Sequence, residues 1–380
     1  MGTIDQIVQH VREHMADGPV AVKEAHEAGT KVIGTYCTYM PWELADAAGA
    51  ITAVLCAKSD KPIAAAEEQL PRNLCPLIKA SYGHALLDTC PYFHFCDAVV
   101  AETTCDGKKK MFELMSALKP LHMIRIPHSS SRPEDLEQMK SEFLKTREYI
   151  GKVAGRAITD DALRESIALR NRERRALQSL WELSALDEPP LSGLEVHQFG
   201  EYMQYRFDKR KDVPWLEEQV RSIRAAWEGG ERREHGKKPR IMITGCPTGG
   251  VVKVIEAIEN AGAVVVCYEN CGGQKELGYL VDETKDPMEA LAEKYLAIGC
   301  SIMSPDTNRM NSLRALAERY RIDGVVEVLL TACHTYAVES YSVRNLVQSL
   351  GKKYLLVETD YSEGDKEQIA TRMDAFVEMM

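Results

Sequence analysis

The sequence lacks the long apolar runs and leader patterns that would place a protein in or across a membrane. None of its hydrophobic stretches reaches the ~20 consecutive apolar residues that a transmembrane helix needs. No basic segment followed by an apolar run opens the chain, and the start, MGTIDQ, has no Ser or Thr at the sixth position for myristoylation. We therefore expect a cytoplasmic protein without a membrane partner, whose thiols stay reduced.

Positive charge is also scarce. The 47 Lys and Arg residues are outnumbered by 57 Asp and Glu residues, so the net charge is −10. The basic runs at Arg170–Arg175 and Glu231–Arg240 lie among acidic residues, and we interpret them as solvated helix faces or a linker. Nucleic acid is not an expected partner, because surfaces that bind it are usually strongly basic.

Two cofactor motifs are missing as well. The chain has 11 cysteines but no CxxC or CxxH pair, so the spacing of a zinc ribbon is absent. The stretch CPTGGVVK, at Cys246–Lys253, lacks the GxxxxGK[ST] order of a phosphate-binding loop and is better explained as a tight turn between a strand and a helix. The cysteines must therefore serve catalysis, a metal group of another kind, or core packing.

Strand and helix patterns alternate near both ends of the chain, which is typical of parallel sheets flanked by helices. The middle of the chain has helical periodicity and strong charge. We predict an α/β fold of two doubly wound (Rossmann- or flavodoxin-like) parallel-sheet domains joined by helices. The predicted parts are an N-terminal domain with leading helices (1–132), a helical segment with a linker (133–236) and a C-terminal domain (237–380).

Six cysteines share a position at or near the end of a predicted element. Five of them follow predicted strands, and in an open α/β sheet ligands bind beyond the carboxyl ends of the strands. The sixth lies near the start of a helix, where backbone N–H groups favour a thiolate and where Asn73 is the predicted cap. If the two domains face each other, all six thiols meet in the cleft between them and could hold a metal cluster. These cysteines are Cys37, Cys75, Cys105, Cys246, Cys271 and Cys333.

The other five cysteines have a simpler explanation, since free cysteine is among the most buried residue types and often only fills space. Cys56 is predicted to lie inside a strand and Cys96 at the entry of one. Cys267 ends an apolar run, and its CYENC spacing leaves pairing with Cys271 open. We expect core packing for Cys56, Cys90, Cys96, Cys267 and Cys300.

Polar residues near the strand ends are candidates for proton transfer. His334 directly follows Cys333, although a surface or structural histidine is an equal alternative. Glu327 lies near the end of the same predicted strand, and we select these two as the candidate proton donors. Most of the other carboxylates near strand ends are expected to be caps or salt-bridge partners: Glu43, Glu102, Asp106, Glu358 and Asp360.

With these residues in hand, the chain resembles the 2-hydroxyacyl-CoA dehydratase / benzoyl-CoA reductase superfamily. The stretches NLCPLIKASYG, ETTCDGKKKM and TACHTY resemble that family's cluster-binding segments and imply Cys75, Cys105 and Cys333 as ligands. The stretches GTYCTYMP, ITGCP and YENCGG resemble the double-cubane cluster proteins of the superfamily and imply Cys37, Cys246 and Cys271 as further ligands. An [8Fe-9S] cluster of this kind has six irons that need protein ligands, which matches the six thiols.

The resemblance also implies partners and chemistry. It implies a homodimer of anaerobic metabolism, served by a separate ATP-hydrolysing activator that carries a [4Fe-4S] cluster. The implied activity is low-potential reduction of small molecules such as acetylene. Two alternatives stay open: a 2-hydroxyacyl-CoA dehydratase subunit with a [4Fe-4S] cluster, and an electron carrier or cluster scaffold without turnover.

Overall fold

The computed structural model describes residues 2–233 and 237–380, and it has the predicted α/β fold with two parallel sheets. Residues 234–236, in the predicted linker, lie outside the described residues. Within the described ranges the strands are β1 (Val32–Thr35), β2 (Ile51–Val54), β3 (Ala98–Glu102), β4 (Leu121–Ile124), β5 (Arg240–Gly245), β6 (Val264–Glu269), β7 (Gly324–Leu330) and β8 (Lys353–Thr359).

Helices connect the strands and fill the middle of the chain. They are α1 (Thr3–His14), α2 (Gly18–Glu27), α3 (Trp42–Ala47), α4 (Ile63–Ala66), α5 (Pro76–Leu87), α6 (Pro91–Phe95), α7 (Asp106–Met115), α8 (Pro133–Ala154), α9 (Asp160–Glu182), α10 (Gly193–Gln204), α11 (Lys209–Glu228), α12 (Val252–Asn260), α13 (Gln274–Leu277), α14 (Pro287–Leu296), α15 (Thr307–Arg319), α16 (His334–Ser349) and α17 (Lys366–Glu378). No helix among residues 2–233 and 237–380 is both long enough and apolar enough to cross a bilayer.

The two sheets have the same topology. Their strand orders are β2-β1-β3-β4 and β6-β5-β7-β8, and every neighbouring pair is parallel. The strands β1, β3, β6 and β7 are buried along their whole length and β5 is buried from Ile241 onward, as expected for sheets covered by helices on both faces. In each sheet the chain reverses its winding beside the first strand, and this is where an open α/β sheet binds its ligand.

Helices pack across the chain rather than only on their own sheet. Near the N-terminus, α1 packs on α10 and α11, and its residues Ile4 and Val8 join a core that reaches β6. Conversely, α14 packs on α8, and Leu291 joins the core around β1 and α3. The two sheets and the helical segment therefore share cores, and the domain boundaries assigned from sequence stay a prediction.

A buried ion pair joins three of these parts. Arg174 of α9 donates to the Glu43 carboxylate of α3 at 2.6 Å, and the Tyr295 hydroxyl of α14 donates to the same carboxylate at 2.9 Å. Both charged side chains are almost fully buried, with 5% and 0% of their side-chain surface exposed. Burial alone would raise the pKa of Glu43, but Arg174 and Lys294 bring it below its usual value. The carboxylate thus stays charged inside the protein.

We predict that Arg174→Met strongly destabilises the fold. It would leave the Glu43 carboxylate buried without its charged hydrogen-bond partner, and breaking a buried ion pair in this way typically costs about 3–5 kcal/mol. The matched control is Arg172→Met on the same helix, because Arg172 pairs with Glu217 at the surface and such pairs contribute about 0–1 kcal/mol. Urea unfolding measures both variants, and equal losses of stability would contradict the prediction.

Candidate functional site

The structure places the cysteines selected from the sequence at the facing edges of the two sheets. Cys37 follows β1, Cys105 follows β3 at the capping position of α7, and Cys333 follows β7 at the capping position of α16. In the same way Cys246 directly follows β5, and one residue separates Cys271 from the end of β6. All 11 cysteines of the chain are free thiols.

Cys75 occupies the capping position of α5, directly before Pro76. The prediction of Asn73 as the cap is therefore wrong by two residues. Proline suits the first helical position because its missing N–H would be unsatisfied there in any case, so the helix begins where Pro76 stands. The shift places Cys75 itself, rather than Asn73, at the start of the helix, and the thiol is buried.

Four thiols form what we call the first thiol group: Cys75, Cys105, Cys246 and Cys333. Cys333 is hydrogen-bonded to Cys246 and Cys75, and Cys105 lies close enough to interact with it electrostatically. Backbone N–H groups also point at the sulfurs: Lys108 donates to Cys105 Sγ at 3.5 Å and Leu330 donates to Cys246 Sγ at 3.4 Å. Thiols from both sheets therefore meet in one group.

The contacts within this group shift the pKa values of its thiols in opposite directions. The S–H groups of Cys246 and Cys75 donate to Cys333 and lower its pKa to about 3. The same hydrogen bonds, together with burial, raise the pKa of Cys75 and Cys246 above the usual value. Burial also raises the pKa of Cys105. These contacts therefore favour the thiolate form at Cys333 and the protonated form at the other three cysteines of the group.

A second thiol group consists of Cys37, Cys271, Cys56 and Cys300. Cys37 and Cys271 interact electrostatically with each other and with Cys300, and Cys56 interacts with Cys271. Burial raises the pKa of Cys37 well above its usual value and that of Cys271 to about 12. Tyr361, which follows β8, interacts with Cys75 and Cys246 of the first group and with Cys56 of the second. It therefore lies between the two groups.

The prediction that Cys56 lies inside a strand is wrong. Strand β2 ends at Val54, and Cys56 lies two residues beyond its carboxyl end, where its thiol donates to the Tyr36 carbonyl at 2.9 Å. Cys96 and Cys267, in contrast, are buried in the protein core, with hydrogen bonds to Phe93 O and Gln274 Oε1.

Lys108 interacts electrostatically with members of both thiol groups, and Glu102 interacts with Lys108 and with Cys37 and Cys56 of the second group. The Lys108 ammonium interacts electrostatically with Cys37, Cys56 and Cys105. The residue as a whole is 9% exposed. Burial would lower the pKa of Lys108, but Cys37 and Glu102 raise it. Glu102 is fully buried, and burial raises its pKa to about 7 against the opposing effects of Lys108 and Thr35.

A small cavity opens beside the second thiol group. It has a volume of about 100 Å³, which holds several water molecules, and loops from both sheets and helix α10 enclose it. Burial and the nearby Lys58 lower the pKa of His197, in its wall, to about 4, so this imidazole is neutral at neutral pH. The residues that bring polar or thiol chemistry to the cavity include Cys37, Cys56, Lys58, His197, Glu201, Asn270, Cys271 and Glu276.

Glu276 is a cavity residue that the sequence analysis missed. It lies on the one-turn helix α13, five residues after Cys271, and interacts electrostatically with Cys271, Cys56 and Glu102. Burial raises its pKa, and Lys294 and Arg174 behind it partly oppose the shift. The only signal in the sequence was an acidic residue soon after a candidate ligand.

The two proton donors selected from the sequence do not line this cavity. His334 is exposed at the start of α16, next to Cys333. Glu327 lies within β7, where the Tyr354 hydroxyl donates to its carboxylate at 2.6 Å and Arg309 lies 3.5 Å away. Both assignments stay predictions, although the Glu327 carboxylate already has two partners.

The site does not have the geometry for a single metal ion. In the described part of the chain, no three Cys, His, Asp or Glu side chains are grouped so that they could hold one ion. A polynuclear cluster makes a different demand, because its thiolates bind different irons and need not converge on one point. An all-sulfur donor set from two facing edges fits such a group, since thiolates select soft metals and Fe–S clusters.

Glycines allow the cavity wall to close. A Cβ atom on Gly250 would lie 2.5 Å from Tyr361 Cε1 and 3.1 Å from Lys58 Cα. A Cβ atom on Gly249 would lie 3.0 Å from Lys58 Cε and 3.1 Å from Glu201 Oε1. The turn after Cys246 therefore serves close packing: it lets Tyr361 and the Lys58–Glu201 ion pair lie directly on the backbone.

Comparison with known proteins gives consistent matches along almost the whole chain. The pattern of the family described as "2-hydroxyglutaryl-CoA dehydratase, D-component" matches residues 37–380. The chain is 46% identical to the "Putative dehydratase subunit YjiM" of Escherichia coli (strain K12), over 98% of each chain. It is 23% identical to the "(R)-phenyllactyl-CoA dehydratase beta subunit" of Clostridium sporogenes, over 94% of each chain. It is also 20% identical to the "Lactoyl-CoA dehydratase subunit beta" of Anaerotignum propionicum, over 100% of each.

We predict that Gly250→Ala destabilises the protein by about 1–3 kcal/mol, because the added methyl group would collide with Tyr361 and force a backbone or ring shift. Gly200→Ala is the matched control in the same cavity wall, since its Cβ would lie 3.8 Å from the nearest atom outside its own helix backbone, the Gly272 carbonyl oxygen. Within helix α10 this exchange should stabilise by about 0.5–1 kcal/mol. Urea unfolding decides, and a Gly250→Ala protein as stable as wild type would disprove the packing argument.

Proposed function

Because the chain belongs to the 2-hydroxyacyl-CoA dehydratase superfamily, as a member of the 2-hydroxyglutaryl-CoA dehydratase D-component family, we propose that it is an iron–sulfur reductase with a double-cubane [8Fe-9S] cluster. It would reduce small molecules at low potential with electrons from an ATP-dependent activator. The observation that carries this proposal is the meeting of thiols from both sheets in two adjacent groups.

The ligand set we propose has members in both groups. Four proposed ligands lie in the first thiol group and two, Cys37 and Cys271, in the second. Lys108 and Tyr361 interact with members of both groups, so the groups are neighbours rather than separate sites. The proposed ligands are Cys37, Cys75, Cys105, Cys246, Cys271 and Cys333.

The protein's own contribution would be binding, exclusion of water and supply of protons. When bound, such a cluster supplies low-potential electrons to a molecule beside it. The cavity of about 100 Å³ next to Cys37 and Cys271 has room for a small molecule, and buried aromatic walls such as Trp181 and Tyr268 limit access by water. Glu276 would hold a proton at its carboxyl group in this cavity, while His334 and Glu327 stay candidate donors near Cys333.

The proposal includes two protein partners. Electrons would come from an ATP-hydrolysing [4Fe-4S] activator, and a second copy of this chain would complete a homodimer with one cluster in each subunit. The glycine-rich turn after Cys246 packs tightly against Tyr361, Lys58 and Glu201, so we interpret it as a packing turn and not as a site for the phosphates of ATP. This interpretation agrees with ATP hydrolysis on a separate activator.

The second candidate is dehydration of a 2-hydroxyacyl-CoA with a [4Fe-4S] cluster. It is favoured by the relatives whose names describe β subunits of phenyllactyl-CoA and lactoyl-CoA dehydratases. The proposed ligands would then be Cys75, Cys105 and Cys333, leaving Cys37, Cys246 and Cys271 without iron. A third candidate, an electron carrier or cluster scaffold, would bind iron without turning over a substrate.

We predict that Cys246→Ser and Cys271→Ser lower the iron and sulfide content per chain or convert the cluster to a smaller one. Serine removes the thiolate that each proposed iron site needs. The matched control is Cys96→Ser, because Cys96 is buried in the core near β3 and is not a proposed ligand. Iron and sulfide analysis with EPR on anaerobically purified protein makes the measurement. Unchanged iron in Cys246→Ser would favour the [4Fe-4S] candidate.

We predict that the protein, supplied with its activator, ATP and a strong reductant, reduces acetylene to ethylene with two electrons and two protons. Gas chromatography measures ethylene, and assays without ATP or without activator are the controls. A panel of 2-hydroxyacyl-CoA esters is tested in parallel. Dehydration of one of these esters without ethylene formation would establish the second candidate, and equally fast reduction by ferredoxin without ATP would remove the activator from the proposal.

A further inference from the structure

Lys108 differs from the two lysines that follow it in the run Lys108–Lys110. Lys109 and Lys110 are exposed and pair with Asp106 and Glu113. Lys108 is turned inward from the first turn of α7 and is 9% exposed. Its backbone N–H donates to Cys105 Sγ at 3.5 Å, and its ammonium lies 3.4 Å from the carbonyl oxygen of Tyr36, the residue before Cys37. Lys108 thus contacts the loops of two proposed ligands, one through its backbone and one through its side chain.

The ammonium lacks a hydrogen-bonded counterion among the described residues. It has three N–H donors, and the one acceptor that the structure gives it is the Tyr36 carbonyl. The nearby Glu102 carboxylate makes no hydrogen bond to it. Phe112 places its ring 5.6 Å below the ammonium. A buried charge of this kind is costly unless an anion lies close to it.

The groups around the ammonium identify the missing anion. Cys37, Cys56 and Cys105 all lie close enough to interact with it electrostatically, and they belong to both thiol groups. Deprotonated cysteines bound to metal would place negative charge on several sides of this ammonium. A sulfur-bound anionic group between the two thiol groups would therefore supply the partner that Lys108 lacks.

We propose that Lys108 is a positioning residue that compensates the negative charge of the thiolate-bound metal group and raises its reduction potential. The inference rests on the proposed function and extends it to a residue that binds no metal. A fixed positive charge stabilises the more reduced, more negative state of a nearby centre, and the effect is strong where the surroundings exclude water. Removing this charge should therefore make the centre harder to reduce.

The experiment compares Lys108→Met, Lys108→Gln and Lys108→Arg with Lys109→Met, an exposed control on the same helix. Iron and sulfide per chain are measured first, and the midpoint potential then follows from an EPR-monitored redox titration. At the wild-type midpoint we expect the ratio of reduced to oxidised centre to fall about tenfold or more in Lys108→Met and Lys108→Gln, which is a shift of about 59 mV for a one-electron couple. Lys108→Arg and Lys109→Met should stay close to wild type.

Each outcome has a distinct meaning. Loss of iron in both neutral variants, with iron retained in Lys108→Arg, also supports charge compensation, since the cluster then needs the cation to assemble. Full iron with an unchanged potential in Lys108→Met overturns the inference and leaves the proposed function intact. Loss of iron in Lys108→Arg as well shows a steric role and overturns it too. Wild-type protein without any cluster would refute the proposed function itself.

Discussion

The polarity of the parallel sheet is the constraint on which this structure depends. All strands of such a sheet end at the same edge, so a residue that follows a strand is carried to that edge whatever its neighbours are. Here two sheets of identical strand order place those edges against each other, and the thiols that follow β3, β5 and β7 meet without any local sequence motif. The contacts of Glu43 with Arg174 and Tyr295 join α3, α9 and α14 and so connect the parts of the chain that carry these edges.

The sequence was sufficient for the fold and for the strand-end position of the thiols, because the alternation of apolar runs with helices determines which end of each strand faces a loop. It was insufficient where burial continues beyond the strand. Leu55 and Ala57 are buried although β2 ends at Val54, so the apolar run around Cys56 looked like an uninterrupted strand. The hydrophobic pattern of the sequence indicates which residues are buried, whereas the end of a strand is determined by the backbone hydrogen bonds to its neighbour.

The polar residues of the site could be predicted least well, because their roles depend on direction within the first turn of a helix. Lys108, Lys109 and Lys110 form one basic run in the sequence, yet only the first of them is buried. Glu276 resembles any acidic residue on a short helix until α13 is placed beside Cys271. A helix turns by about 100° for each residue, so adjacent identical side chains reach opposite environments.

Burial of the thiols has two opposing effects on any metal group held there. It excludes water, but it also raises the pKa of Cys37, Cys105 and Cys271, so that these proposed ligands favour the protonated form in the metal-free protein. Metal binding must therefore displace protons from buried sulfur, which makes the affinity for metal increase with pH. Lys108 acts in the same direction as the metal, because its positive charge lowers the pKa of Cys37 and Cys105. A single buried cation would thus offset part of the cost of deprotonating thiols in this cleft.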